Sequence, residues 1–138
     1  MTRKKTNYGF TLLELLVVMV IIGMLAGLVV PRFFAQIGKS ETKIAAAQLE
    51  NLDNAVIQFR LDTGRFPTNE EGLLALNSQP TDATGWYGPY LKKDVPSDPW
   101  KRPFVYQYPG VHGDFDLFSL GKDGRLGGDR ADADITSW

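Results

Sequence analysis

"GFTLLELLVVMVIIGMLAGLVVP", Gly9 to Pro31, is the stretch on which the reading of the whole chain turns. Between Phe10 and Val30 it has 21 residues and a single charge, Glu14. As a helix it would reach roughly 31 Å at about 1.5 Å per residue, the thickness of a bilayer's hydrocarbon core. The expectation is a membrane-spanning helix. A buried core helix is the first alternative, but the unpatterned run from Leu15 to Val30 is too long for a small body to cover on every side. A cleaved secretory signal is the second, since it shares a basic start and an apolar stretch. Around Met24-Leu25-Ala26-Gly27, however, no small-x-small pair sits where a signal peptidase would need it, and Pro31-Arg32-Phe33-Phe34 closes the run with bulky residues.

Around this span the chain is short and unevenly charged. Its 138 residues suit one domain plus an appendage. Arg3, Lys4 and Lys5 make a basic tip, whereas residues 32 to 138 carry 12 basic and 15 acidic side chains, so the near-zero total hides a mildly acidic body. Taken together, Arg3, Lys4 and Lys5 lie closer to the span than Arg32, Lys39 and Lys43 on its far side, which places the basic end in the cytoplasm. The body lacks the clustered Lys and Arg with interleaved aromatics of a nucleic-acid footprint, so nucleic acid is not an expected partner. Cysteine is absent, which excludes disulfides, thiol catalysis and Cys-type zinc sites.

A carboxylate in hydrocarbon costs about 2.5–3.5 kcal/mol on insertion scales, so Glu14 calls for a partner. No Lys, Arg or His lies between residues 6 and 31. The partner is therefore on another chain or is created by processing. A cut between Gly9 and Phe10 would expose an α-amino group at the depth of Glu14 on a neighbouring helix, and the pair would fix axial register between subunits. The alternative is a Glu14 that sits near the headgroups and snorkels to water.

A basic leader, Gly9, then Phe10-Thr11-Leu12-Leu13-Glu14 and a long apolar helix resemble the type IV pilin and pseudopilin family. The resemblance implies a prepilin peptidase that cuts after Gly9 and N-methylates Phe10, and a Glu14 that neutralises the terminal amine of an adjacent subunit during filament assembly. Pro31 falls where such helices commonly carry a proline, whose lost hydrogen bond would allow a bend or local melting.

Beyond Pro31, Ala45, Leu49, Leu52, Val56 and Phe59 recur at spacings of 4, 3, 4 and 3, which predicts an amphipathic helix from about Phe33 to Asp62, ended by Thr63-Gly64 and Pro67. Barely two heptads are well formed, so the helix is expected to pack on the protein's own sheet rather than in a coiled coil. Thr68-Asn69-Glu70-Glu71 reads as a capping box opening a short helix through Leu73, Leu74 and Leu76. Prolines and glycines break up residues 80 to 103, where Trp86, Tyr87, Tyr90 and Trp100 are read as anchors of loops onto the core rather than as a ligand surface. Phe104 to Tyr108 and Phe115 to Ser119 read as a hairpin, with His112 in its turn as a plain surface residue lacking a catalytic partner. No G-x-S-x-G, H-E-x-x-H, P-loop or dinucleotide fingerprint occurs, so an enzyme is not expected. The fold class is α+β: a long N-terminal helix, membrane-spanning in its first half and amphipathic in its second, on a small antiparallel sheet.

"SLGKDGRLGGDRADADI", Ser119 to Ile135, has four Gly and four Asp and no helical or strand period. Bent backbone and carboxylates are what a hard cation such as Ca²⁺ uses, yet the EF-hand template fails here, because Arg130 falls where its bidentate Glu belongs. From composition alone, a solvated tail and a cation loop both remain open. The segment is similar to the SLGxDGxxGG…ADI loop of the major pseudopilins of type II secretion systems, which holds a structural Ca²⁺. By position the resemblance gives Asp123, Asp132 and Asp134 as carboxylate ligands and Leu120 as a carbonyl donor. Asp94 to Gly110 is similar to the D-P-W-G-x-P-Y-x-Y segment of the same family, departing at Lys101 and Phe104.

The resemblance implies three parts: residues 1–9 a cleaved leader, 10–30 a transmembrane assembly helix, and 31–138 a periplasmic globular domain. It implies a single-pass inner-membrane protein that forms a homopolymer, the pseudopilus, in support of protein export. Its expected partners are minor pseudopilins, the prepilin peptidase and the inner-membrane assembly platform. A type IVa pilin of an adhesion or motility filament is the alternative, weakened by the lack of cysteine for its usual disulfide. A single-span enzyme or signalling protein is a third reading, which would leave Glu14 and the Gly9-Phe10 junction as coincidences.

Overall fold

Apart from Pro31 and three isolated glycines the sequence from Leu12 to Thr63 suits a helix, and a computed structural model, which describes residues 9–138, accordingly shows one helix, α1, over those residues. The chain divides into two compact units, at Ile37 and Gly38.

In the first unit every described residue from 9 to 37 is exposed, including the entire apolar run. This segment is long and apolar enough to cross a membrane. Of the bend or local melting that Pro31 would allow, melting is not seen: α1 continues through the proline. A proline removes one backbone donor, and the hydrogen bonds of the adjoining turns hold the helix there.

The second unit is built on the other end of α1. Ala45, Leu49, Leu52, Val56 and Phe59 are all buried, as their spacing requires, and Ala55 joins them. The helix ends where the Gly64 amide donates to the Arg60 carbonyl at 2.8 Å and the Thr63 hydroxyl to the Phe59 carbonyl at 2.7 Å. Phe66, Leu73, Ala75, Leu76, Ala83, Phe104 and Leu117 complete the core against this face. The Leu, Val and Phe side chains of this cluster gain about 1.5–3 kcal/mol each when fully buried, so the cluster is the main source of stability in the unit.

The capping box forms as its spacing predicts. The Thr68 amide donates to Glu71 Oε2 at 2.9 Å and the Glu71 amide to Thr68 Oγ1 at 3.3 Å. It closes the turn of residues 69–71, which leads into a 3-10 helix, Gly72–Leu76. Five residues suit the tighter i→i+3 pattern, which short segments favour. The loops then return to the core through their aromatics: Trp86 Nε1 donates to the Ala75 carbonyl at 2.9 Å, and Tyr90 meets both Phe59 and Trp86 edge-on. Tyr87, by contrast, is exposed.

The sheet is antiparallel in the order β1-β2-β3, with β1 Val105–Gln107, β2 Asp116–Ser119 and β3 Ile135–Thr136. Tyr106 lies opposite Leu117 in the hairpin, and Ser119 opposite Ile135 in the second pairing. The two-residue strand β3 has no alternating pattern of its own. Its pairing to β2 closes the Gly/Asp-rich loop of residues 120–134 at both ends.

Candidate functional site

The first candidate site is the start of α1. Thr11 is its N-cap: the Thr11 carbonyl accepts the Leu15 amide at 3.2 Å and its hydroxyl accepts the Glu14 amide at 3.2 Å. Glu14 Oε2 in turn accepts the Thr11 amide at 2.8 Å and the Thr11 hydroxyl at 2.9 Å. This is a second capping box, satisfying amides that a helix start leaves without partners. Thr11 is thus a residue of the candidate site beyond those expected from the sequence, although Thr11-Leu12-Leu13-Glu14 carries the T-x-x-E signal. The cap satisfies hydrogen bonds but does not neutralise charge, and among the described residues no cation pairs with Glu14. Gly9 and Phe10 are exposed just before the cap. The basic leader residues Arg3, Lys4 and Lys5 lie outside the described residues.

The second candidate site is the loop between β2 and β3. Gly121, at φ +63°, is covered so closely by the far end of the loop that an added Cβ would lie 2.6 Å from the Ala133 carbonyl oxygen and 2.9 Å from that of Asp132. Backbone carbonyls are therefore drawn together there. Asp123 is exposed and accepts the Arg125 amide at 3.0 Å through Oδ1. Asp134 accepts the Gly127 amide at 2.9 Å through Oδ2, while its Oδ1 is buried with no partner. Asp132 ends the 3-10 turn Arg130–Asp132, and the Leu120 carbonyl accepts the Gly124 amide at 3.2 Å. Among the described residues no three acidic or histidine side chains converge on one point. The fold thus gathers the loop's backbone but leaves its carboxylates apart, with Asp134 Oδ1 lacking a partner.

His112 is exposed in the turn, as expected, and has a structural partner the sequence did not reveal: its Nδ1 lies 3.0 Å from Asp116 Oδ2, and its ring stacks on Trp138 at 4.0 Å between centroids. Asp116 is buried and also accepts the Val111 and His112 amides at 2.9 and 3.0 Å. Burial pushes the Asp116 carboxyl up, but these hydrogen bonds outweigh it and hold the group below the usual carboxylate range. The pair braces the hairpin turn. Glu71 is similarly held low, first by the Arg65 guanidinium, whose two bonds are each 2.7 Å, against an opposing push from burial.

Residues 32–138 match the family model described as type II secretion system (T2SS), protein G, and residues 4–30 match the prokaryotic N-terminal methylation motif. The chain is 38% identical to the type II secretion system core protein G of Pseudomonas aeruginosa, over 99% of this chain and 98% of that one. It is 41% identical to the protein of the same name from Aeromonas hydrophila, over 99% and 95%. Its fold is similar to the crystal structure of the major pseudopilin from the type 2 secretion system of enterohaemorrhagic Escherichia coli, with TM-score 0.64 and 31% identity over 76% of this chain and 92% of that one. These matches favour the secretion-system reading over the adhesion pilin, and the chain belongs to the type II secretion system protein G family.

Proposed function

We propose that this chain is the structural subunit of a type II secretion pseudopilus, polymerising through its N-terminal helix to support export of folded proteins across the outer membrane. The observation that carries this reading is the conjunction of a secretion-family globular unit with an exposed apolar segment that begins at Phe10 and carries Glu14, which pairs with no cation among the described residues. Residues 1–9 are the leader, 10–30 the transmembrane assembly helix and 31–138 the periplasmic domain of a single-pass inner-membrane protein. Prepilin peptidase cleaves between Gly9 and Phe10 and methylates the new amine. The work of the subunit is assembly rather than catalysis. Its partners are further copies of itself, minor pseudopilins and the inner-membrane assembly platform.

The chemistry builds on the cap. Thr11 holds the Glu14 carboxylate at the head of the helix, where an acid also favours the positive end of the helix dipole. The α-amino group of Phe10 on an adjacent subunit then supplies the missing positive charge. That pairing repays the cost of the carboxylate in lipid and sets the axial stagger before side-chain packing takes over.

The loop of residues 120–134 is the proposed Ca²⁺ site, supported by the buried, unpartnered Asp134 Oδ1 and by the carbonyls crowded over Gly121. Leu120 through its carbonyl and Asp123, Asp132 and Asp134 through their carboxylates are the donors. When bound, Ca²⁺ supplies a hard centre for six to eight oxygens. Asp123 and Asp132 are both exposed and so open to an ion from solvent.

Intact mass of the membrane-extracted protein tests the processing. Loss of residues 1 to 9 with gain of one methyl is expected, and a full-length mass would overturn the reading.

A further inference from the structure

The Gly/Asp-rich loop is anchored by a buried acid some twenty residues earlier in the chain. Asp98, 3% exposed, accepts the Trp100 and Arg102 amides at 3.1 and 2.8 Å through Oδ1. Through Oδ2 it accepts the hydroxyl of the fully buried Ser119 at 2.7 Å. The Ser119 hydroxyl oxygen in turn accepts the Gly121 amide at 3.3 Å. A buried carboxylate is tolerable only with such partners, so the 98–102 turn and the start of the loop are obliged to stay together. From that turn the Arg102 side chain reaches over the loop, where Nη1 donates to the Gly121 carbonyl at 2.8 Å and to the Lys122 carbonyl at 2.9 Å. Gly124, at φ +70°, lies flat against the guanidinium: an added Cβ would stand 2.6 Å from its central carbon.

Three consecutive carbonyls therefore follow β2: the guanidinium claims the last two, and the first, that of Leu120, accepts only the Gly124 amide among the described residues and keeps a second lone pair. We propose that Arg102 is a positioning residue for the cation loop, tying down the Gly121 and Lys122 carbonyls so that the Leu120 carbonyl and the Asp123 carboxylate are the donors this turn presents to Ca²⁺. The inference rests on the proposed Ca²⁺ site. It also sets two effects against each other. A guanidinium near a Ca²⁺ site repels the ion, whereas a pre-shaped loop avoids ordering its own backbone on binding. Residues that orient metal ligands without touching the metal typically contribute about 10- to 100-fold to affinity, which outweighs a screened repulsion at an exposed loop.

The test uses full-length protein in detergent, with Ca²⁺ alone as the probe, titrated by calorimetry and monitored by thermal melts in Ca²⁺ and in chelator. Arg102→Met is expected to weaken Ca²⁺ binding about 10- to 100-fold and to shrink the gap between the two melting temperatures. Arg102→Lys keeps the charge but not the planar guanidinium that packs against Gly124, and is expected to weaken binding in the same direction. It also keeps the test open should the methionine variant fold poorly. A merely structural role would lower both melting temperatures together and leave the affinity unchanged, which overturns the inference. Tighter binding by Arg102→Met would overturn it as well, since repulsion would then dominate. A wild-type protein that takes up no Ca²⁺ overturns the calcium site and the inference together, whereas wild-type binding that both variants match overturns the inference alone.

Discussion

Glu14 has two separable roles, and substitution can part them. Glu14→Gln retains an oxygen to accept the Thr11 amide and hydroxyl, now bonded at 2.8 and 2.9 Å, but removes the charge. Glu14→Ala removes both. Loss of a cap costs about 1 kcal/mol, a several-fold change in the population of the first helical turn. Loss of the charge is larger. An acid in lipid costs about 2.5–3.5 kcal/mol, and pairing with a neighbour's terminal amine recovers an energy of that order, so an uncharged subunit needs roughly a hundredfold higher membrane density to polymerise. Both variants are expected to be cleaved and inserted, because neither change shortens the apolar span. Neither is expected to yield filaments at wild-type density. The assay compares processed subunit in the inner-membrane fraction with sheared polymer, and amide exchange at the start of α1 should be fast in Glu14→Ala and slow in Glu14→Gln. Normal filaments from Glu14→Gln would refute the role of the charge, and equal exchange in the two variants would refute the role of the cap.

Phe59 is fully buried and meets Tyr90 edge-on, so Phe59→Ala is expected to cost about 3–5 kcal/mol, and a melting temperature lowered by less than roughly 10 °C in near-ultraviolet circular dichroism would contradict the placement of the core. The depressed Glu71 carboxyl contributes stability that is present above its ordinary pKa of about 4.3 and lost as pH falls through its lower folded value; the stability gap between wild type and Glu71→Gln should therefore narrow below about pH 4, and a constant gap would show that the Arg65 pair contributes nothing. Chelation is expected to lower the melting temperature of the wild type but not of Asp123→Ala or Asp134→Asn, since a ligand at about 100 times its Kd adds roughly 2.7 kcal/mol; a melting temperature that is the same with and without Ca²⁺ removes the metal site.

Local patterns were legible and long-range bonds were not. The spacing of Ala45, Leu49, Leu52, Val56 and Phe59 identified the buried face because helix period alone decides which side chains share a side. The hairpin was legible because two runs of strand formers flank a Pro-Gly turn. Strand β3 was not, since Ile135 and Thr136 are extended only because β2 offers them an edge. The partners of His112 were hidden for a similar reason: Trp138 is distant in sequence, and Asp116 is turned inward by the hairpin. Arg102 occupies an unspecified position of the D-P-W-G-x-P-Y-x-Y pattern, and only the folded chain shows its two carbonyl partners.

The two capping boxes of this chain bear directly on why an acid stands in the membrane segment. At Thr68 and Glu71 the carboxylate caps a helical turn and also meets Arg65 in a two-point pair, so its charge is answered within the chain. At Thr11 and Glu14 the same bonds are made, but no cation is near among the described residues. A capping box accepts glutamine as readily as glutamate at its third position. Capping by itself therefore gives no reason to place an ionised group at the head of an apolar helix, where glutamine would serve without the cost of a charge in lipid. The cap accounts for the geometry of the side chain; the charge calls for a positive group, which no described residue of this chain supplies and which the terminal amine of a second, processed copy would bring.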